Sequence, residues 1–263
     1  MYQLKGAALV TGAGHRLGRE MALTLGRMGH NVVVHYAGSG ARAEETAQMV
    51  RALGVRSETV KADFLDRTQI EDLIPKAVIA IGEPLKILIN NASIFEYDNL
   101  QSADFNSWDR HMMSNLEAPF FLTQAFAKQI EGGETDAAGE PIASGCVINM
   151  IDQRVRKLTP EFATYTIAKM GLWAFTRTAA QSLAPDIRVN GIGPGPTLIG
   201  HRQSEQHFAD QRSSTVLQRG SSPEEINKAL KFIIESHSLT GQLMCMDAGQ
   251  HLCWQTPDVL GVE

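Results

Sequence analysis

A chain of 263 residues that is 43% hydrophobic and 20% charged, with 23 glycines, has the make-up of a folded globular protein rather than a disordered or fibrous one. Its formal net charge of −5 gives no field that would gather phosphate backbones, which argues against nucleic-acid binding, and no apolar run has the length of a membrane span. Three cysteines, Cys146, Cys245 and Cys253, are an odd number without metal-ligand spacing, so free thiols, a reducing compartment and no metal site are expected. The opening MYQLKGAALVTG is too short and wrongly flanked for a signal peptide, and a cytoplasmic, membrane-free protein is the expectation.

Short apolar, β-rich runs then alternate with amphipathic stretches. A strand predicted at 7–11 leads through glycines into a helix at 16–28. Strands at 31–36, 57–61 and 86–90 are followed by helices at 40–53, 67–81 and 104–130, the last read as one long helix. Beyond a polar surface loop at 131–145 come a strand at 146–151, a helix at 162–183, a strand at 187–192, a helix at 223–236 and a closing strand at 243–247. Continuous apolar strands alternating with helices imply an α/β fold: a doubly wound parallel sheet of seven strands with helices on both faces. One continuous sheet implies a single domain over residues 1–263.

The first strand runs into TGAGHRLG, residues 11–18, where Gly12 and Gly18 bracket a turn that opens a helix. Backbone N–H groups and the positive helix end would there face a dinucleotide pyrophosphate. The second strand ends VVVHYAGSG with no acid to bind ribose hydroxyls. Arg16, with Ser39 and Arg42, offers a 2′-phosphate a partner instead, which favours NADPH over NADH. Asp63, in KADF after the third strand, suits either an adenine edge or a helix cap.

Tyr165 and Lys169 are four residues apart in a helical segment, so both lie on one face. An ammonium near a phenol favours phenolate, which would lower the phenol pKa toward neutral and make the pair a proton donor beside a hydride-accepting carbon.

Taken in order, TGAGHRLG, NNAS at 90–93, Asn115, YTIAK at 165–169, RVNGIGPG at 188–195 and TGQLMCMDAGQH at 240–251 resemble the short-chain dehydrogenase/reductases over nearly the whole chain. That resemblance implies a Rossmann-type fold, a proton relay of Asn115, Tyr165 and Lys169, and a nicotinamide ribose held by Lys169. It also implies a nicotinamide lined by Pro194, Gly195 and Thr197. Further cofactor contacts would come from His15 and Leu17 in the turn and from Asn91, Ala92 and Ser93 after the fourth strand. A homotetramer built on the helical stretches 104–130 and 162–183 is implied as well.

Two departures narrow the branch. Arg16 stands at the middle glycine of the usual TGxxxGxG turn, and Asp152 stands thirteen residues before Tyr165, where the family usually has serine. A serine hydroxyl donates to a carbonyl oxygen, whereas an ionised aspartate only accepts, which suits a substrate edge carrying N–H groups. Arg16, Phe95, Asp152, Tyr165 and Lys169 together are similar to the pteridine reductase branch. By that resemblance a pterin would stack between nicotinamide and Phe95, its edge held by Ser93 and Asp152, with Arg16 bridging cofactor and substrate. HYAGS lacks the His and Arg that assist phosphate binding in parasite pteridine reductases. The segment 198–220, with His201, Arg202, Glu205 and Arg212, would form a lid, and residues 253–263 would reach a neighbouring subunit or cover a site. The competing readings are a carbonyl or 3-oxoacyl reductase of the same fold and a non-catalytic nucleotide-binding protein.

Overall fold

The computed structural model describes residues 4, 6–200 and 202–254. His201 in the expected lid, and residues 255–263 of the closing tail, lie outside the described residues.

In chain order the strands are β1 (Ala7–Val10), β2 (Val32–Tyr36), β3 (Ser57–Lys61), β4 (Leu85–Asn90), β5 (Glu134–Thr135), β6 (Pro141–Ile142), β7 (Gly145–Met150), β8 (Ile187–Pro194) and β9 (Leu243–Met246). Seven of them form one parallel sheet in the order β3-β2-β1-β4-β7-β8-β9, and β5 and β6 make a small antiparallel hairpin inside the loop expected at 131–145. The helices are α1 (Arg16–Arg27), α2 (Gly40–Arg51), α3 (Arg67–Ile81), α4 (Phe105–Met112), α5 (Ala118–Lys128), α6 (Ala163–Ser182), α7 (Glu205–Ser213) and α8 (Pro223–Glu235).

Because β-strand side chains alternate, the apolar strands feed two cores at once. Ala8, Val10, Val34, Ile89 and Ile148 pack with Met21 and Leu25 of α1, Val50 of α2 and Leu230 of α8. Leu9, Val33, Leu88, Val147 and Val189 pack on the other face with Leu73 of α3, Leu122 and Phe126 of α5 and Ala179 of α6. Strand order reverses between β1 and β4, the switch point outside which open α/β sheets bind ligands. The glycine turn after β1, NNAS at the end of β4, Asp152 after β7 and Pro194 at the end of β8 all lie at that carboxyl edge. None of the described helices is long and apolar enough to cross a membrane.

The single helix predicted over 104–130 is corrected to three pieces. Between α4 and α5 the backbone widens into a π-helical segment, Met113–Glu117. Pro119 has no N–H to give the carbonyl of Asn115, so the ordinary i to i−4 bond is missing there. The side chain of Asn115 uses this bend to clamp the loop after β4, as described below. A second addition is α7, an exposed helix inside the polar 198–220 segment, capped by Ser204, whose hydroxyl accepts from the His207 N–H at 3.1 Å.

Candidate active site

The glycine turn is fixed from three directions. Gly12 holds φ +63°, and a Cβ on Gly18 would stand 2.4 Å from the Gly12 carbonyl oxygen, so α1 approaches the turn only with glycine there. Asn91 Nδ2 donates to the Thr11 carbonyl at 2.8 Å, while Thr11 Oγ1 accepts the N–H groups of Asn91 (2.8 Å) and Ala92 (2.9 Å). His35, fully buried, accepts the Gly12 N–H at Nδ1 (3.0 Å), and its Nε2 lies 2.9 Å from the Ala62 carbonyl. With Nδ1 an acceptor the ring is the neutral Nε2–H tautomer, and burial pulls its pKa down to about 4.

Two features of this turn fit a dinucleotide phosphate. His15, the residue before α1, makes no side-chain cap, and the first turn of α1 carries no acid, so its orphan N–H groups have no anionic competitor within the helix. Positive charge gathers there as well: the His15 pKa is lowered by burial and then by Arg42, Arg16 and Arg19. Ser39, which precedes α2, also makes no side-chain cap. Arg16 takes the left-handed backbone (φ 54°) that its glycine counterpart would adopt freely. Its guanidinium reaches across the cleft to the carbonyls of Ile199 (2.7 Å) and Leu198 (3.2 Å), tying the turn to the chain after β8. Leu17 is half-buried against the core of α1. Asp63 is exposed and its carboxylate accepts the Leu65 N–H at 3.0 Å, the local turn-capping arrangement.

The sequence-predicted chemical residues converge at the ends of β4 and β7. Tyr165, 5% exposed, donates from its hydroxyl to Asp152 Oδ2 at 3.0 Å, and Asp152 Oδ1 accepts the Arg154 N–H at 2.8 Å. Lys169 is buried, and its ammonium donates to the Met150 carbonyl at 2.8 Å. Asn115 pairs with the backbone of Ile94 in both directions: Ile94 N–H to Oδ1 at 2.9 Å, and Nδ2 to the Ile94 carbonyl at 2.8 Å. That clamp aims the loop carrying Ser93 and Phe95. Thr197 Oγ1 donates to the Gly195 carbonyl (3.0 Å) and meets Ser221 Oγ (2.5 Å), while a Cβ on Gly195 would lie 2.6 Å from Asp247 Cα. Pro194 ends β8 and Gly195 follows it, at the same carboxyl edge of the sheet as NNAS.

The electrostatics correct one expectation. The Tyr165 phenol is not lowered: burial, followed by the adjacent Asp152 carboxyl, pushes it well above its ordinary value, with Arg154 and Ser93 pulling weakly the other way. Burial also raises Asp152, against the opposing pull of Arg154, Tyr165 and Lys169. Lys169 is brought down to about 8 by burial, with Asp152 resisting. Desolvation of a phenol that already shares its proton with a carboxylate outweighs an ammonium whose hydrogen bond goes to a backbone carbonyl.

An aromatic wall and a buried network were not legible in the sequence. Phe95 stacks on Phe162 (4.4 Å between centroids, 17° between planes) and meets Tyr165 edge-on at 4.7 Å. Beneath them the His111 Nε2 accepts the Glu96 N–H at 3.1 Å, so Nδ1 carries the proton toward Thr164 Oγ1 at 2.6 Å. The Thr164 hydroxyl in turn donates to Asp98. Asp98 also accepts the Thr164 N–H at 3.2 Å and so caps α6 from a distant loop, one residue before Tyr165. These partners are 53 and 66 residues apart in the chain, beyond any local spacing signal.

The chain belongs to the short-chain dehydrogenases, whose family profile, described as short chain dehydrogenase, matches residues 6–210. It is 31% identical to a short-chain type dehydrogenase/reductase of Picea abies over 80% of this chain and 75% of that one. It is 29% identical to the 3-oxoacyl-[acyl-carrier-protein] reductase FabG of Staphylococcus epidermidis over 94% of this chain and 99% of the relative. Among solved structures it is similar to FolM alternative dihydrofolate reductase 1 from Brucella suis, crystallised with NADP. The TM-score there is 0.90 and the identity 37%, over 98% of this chain and all of that one.

Proposed function

We propose that the chain acts as one NADPH-dependent oxidoreductase domain that reduces a pterin or dihydropterin, with Tyr165 as proton donor. The observation that carries this reading is the Tyr165–Asp152 hydrogen bond at 3.0 Å beside the exposed ring of Phe95. NADPH, when bound, supplies the hydride. The uncapped start of α1, the basic residues Arg16 and Arg42, the hydroxyl of Ser39 and the absence of an acid at the end of β2 support that cofactor. Asn91 and Ala92 would floor its site, Asp63 would face its adenine, and Pro194, Gly195 and Thr197 would border the nicotinamide. The FolM neighbour's NADP complex supports the same choice.

On this reading the phenol enters the reaction protonated, because its raised pKa keeps the proton at neutral pH. Its O–H turns from Asp152 to a ring nitrogen of the substrate as that atom becomes basic. Asp152, relieved of the phenol, accepts N–H from the pterin edge, with the Ser93 hydroxyl beside it. Lys169 provides the positive charge that meets the phenolate left behind. Asn115 positions the Ser93–Phe95 loop, and Phe95 offers its face to a flat heteroaromatic ring.

The carbonyl or 3-oxoacyl reductase reading has one observation in its favour. Burial drives Asp152 toward the neutral acid, which can donate an O–H to a carbonyl much as a serine does. The deciding measurement is NADPH consumption by the purified chain with 7,8-dihydrobiopterin, dihydromonapterin and dihydrofolate against ketones and 3-oxoacyl thioesters. Turnover of dihydropterins is expected, and turnover confined to carbonyl substrates would replace this reading with the other. We also place the protein in the cytoplasm as a homotetramer. Exposed Phe120 and Phe121 on α5 with Ile167 and Met170 on α6 support subunit contacts there, and a monomer by light scattering would remove the proposal.

A further inference from the structure

Asp152, Tyr165 and Lys169 leave a second cluster at the mouth of the site unused. Phe162, immediately before α6, holds φ 58° and ψ 49°, a left-handed conformation that a bulky side chain adopts only under constraint. The constraint presents its ring to Phe95, while Tyr97 meets it edge-on at 5.3 Å. Two guanidinium groups from different parts of the chain lie against this stack. Arg154 stands 5.1 Å from the centroid of Phe162, and Arg202 stands 5.2 Å from that of Phe95 and 5.7 Å from that of Phe162.

Both cations are held by uncharged acceptors. Arg202 Nη2 donates to the Phe95 carbonyl, and Arg154 Nη1 donates to Thr159 Oγ1 (2.5 Å) and the Glu161 carbonyl (3.5 Å). Arg154 Nε is buried with no hydrogen-bond partner. Neither guanidinium forms an ion pair among the described residues, whereas neighbouring Arg110 is held by both oxygens of Glu96, at 3.0 and 2.7 Å. Of the nearby carboxylates, Asp152 takes the Tyr165 hydroxyl and Glu161 takes that of Tyr97, with Glu161 Oε2 left buried without a hydrogen bond; the Arg154 guanidinium acts on Asp152, and that of Arg202 on Glu96, only through space. Guanidinium forks held on aromatic rings by uncharged acceptors, without an ion pair among the described residues, form a receptor for a carboxylate.

We propose that Arg202 and Arg154, on the Phe95–Phe162 platform, form a tail subsite for a carboxylate that the substrate carries beyond its reducible ring. The preferred substrate is then a dihydropterin with an acidic aromatic tail, of the folate kind, rather than one with an uncharged side chain. This rests on the pterin reading of the site. It assigns a task to the lid segment, which sequence alone left without specificity: Arg202 reads the tail while Asp152 reads the ring.

The test measures kcat and KM of the full chain at saturating NADPH for 7,8-dihydrofolate and 7,8-dihydrobiopterin, in the wild type, Arg202→Gln and Arg154→Gln. The expected result is a KM for dihydrofolate that rises roughly tenfold more than the KM for dihydrobiopterin in Arg202→Gln, as loss of a charge-assisted pair requires. A smaller shift of the same sign is expected in Arg154→Gln. In the wild type, raising KCl from about 50 to about 300 mM should raise the KM of dihydrofolate selectively. That measurement decides the question even where a variant does not fold. Equal responses of the two substrates to substitution and to salt would overturn the subsite and leave the pterin reading standing. Wild-type turnover of neither dihydropterin would overturn the pterin reading, and the subsite with it.

Discussion

The proton shared between Tyr165 and Asp152 governs what this site can protonate. Burial and the Asp152 carboxylate to which it donates hold the phenol protonated, so the site keeps an acid at neutral pH instead of a phenolate. Tyr165→Phe should therefore lower kcat by roughly a hundredfold or more while NADPH binding, followed by fluorescence titration, stays intact. Retained turnover would reject Tyr165 as the donor. Asp152→Ser separates the two substrate readings. Dihydropterin kcat/KM should fall roughly tenfold or more, since a hydroxyl is a weaker acceptor for N–H than a carboxylate, and reduction of activated ketones should emerge. Unchanged pterin turnover in that variant would leave the branch assignment without its chemical reason.

At the scale of elements, the site depends on how closely α1 seats against the turn after β1. A methyl group on Gly18 would collide with the Gly12 carbonyl at 2.4 Å, a backbone atom, and with Asn91 Nδ2 at 2.7 Å, a side-chain amide pinned by its hydrogen bond to the Thr11 carbonyl. Gly18→Ala should cost about 1–3 kcal/mol of stability and weaken NADPH, because α1 must retreat and take its N–H groups with it. Gly38→Ala is the matched control, since nothing lies within 4 Å of a Cβ there. Equal effects in the two variants, by thermal melting and cofactor titration, would refute the close-approach argument. The π-helical break before α5 works in the same way: it turns Asn115 toward Ile94 and so couples a helix to the loop that bears Ser93 and Phe95.

For the molecule as a whole, buried neutral histidines link stability to pH. His35 joins β2, the glycine turn and the end of β3, and its pKa of about 4 lies below the ordinary 6.5. Between those values the unfolded chain binds a proton that the folded chain refuses. The stability contribution of His35 is thus complete above about pH 6.5 and is lost as the pH falls through about 4, on the order of 3 kcal/mol at most. His30 and His111, also lowered chiefly by burial, act in the same direction. Urea midpoints measured from pH 7 to pH 4 should decline, and His35→Gln should flatten part of that slope. Identical slopes in the two proteins would show that His35 is not the linked group.

Much of this was legible in the sequence, because it is written in local spacing. Apolar runs place the strands of the parallel sheet, the glycines of TGAGHRLG mark the turn, a separation of four puts Tyr165 and Lys169 on one helical face, and counting back thirteen finds Asp152. The structure brings Asp152, Tyr165, Lys169, Asn115 and Phe95 to one edge of the sheet as those spacings imply. Tertiary structure alone decided the rest. The Asp98–Thr164–His111 chain and the seating of Arg202 against Phe162 arise from partners forty or more residues apart, and although Pro119 is local to the break at Met113–Glu117, only the packed fold shows that the widened turn aims Asn115 at Ile94. The direction of the Tyr165 pKa belongs with them: spacing sets which charges are near, but only the packed interior sets how much water is removed from each, and here that removal outweighed the nearby ammonium.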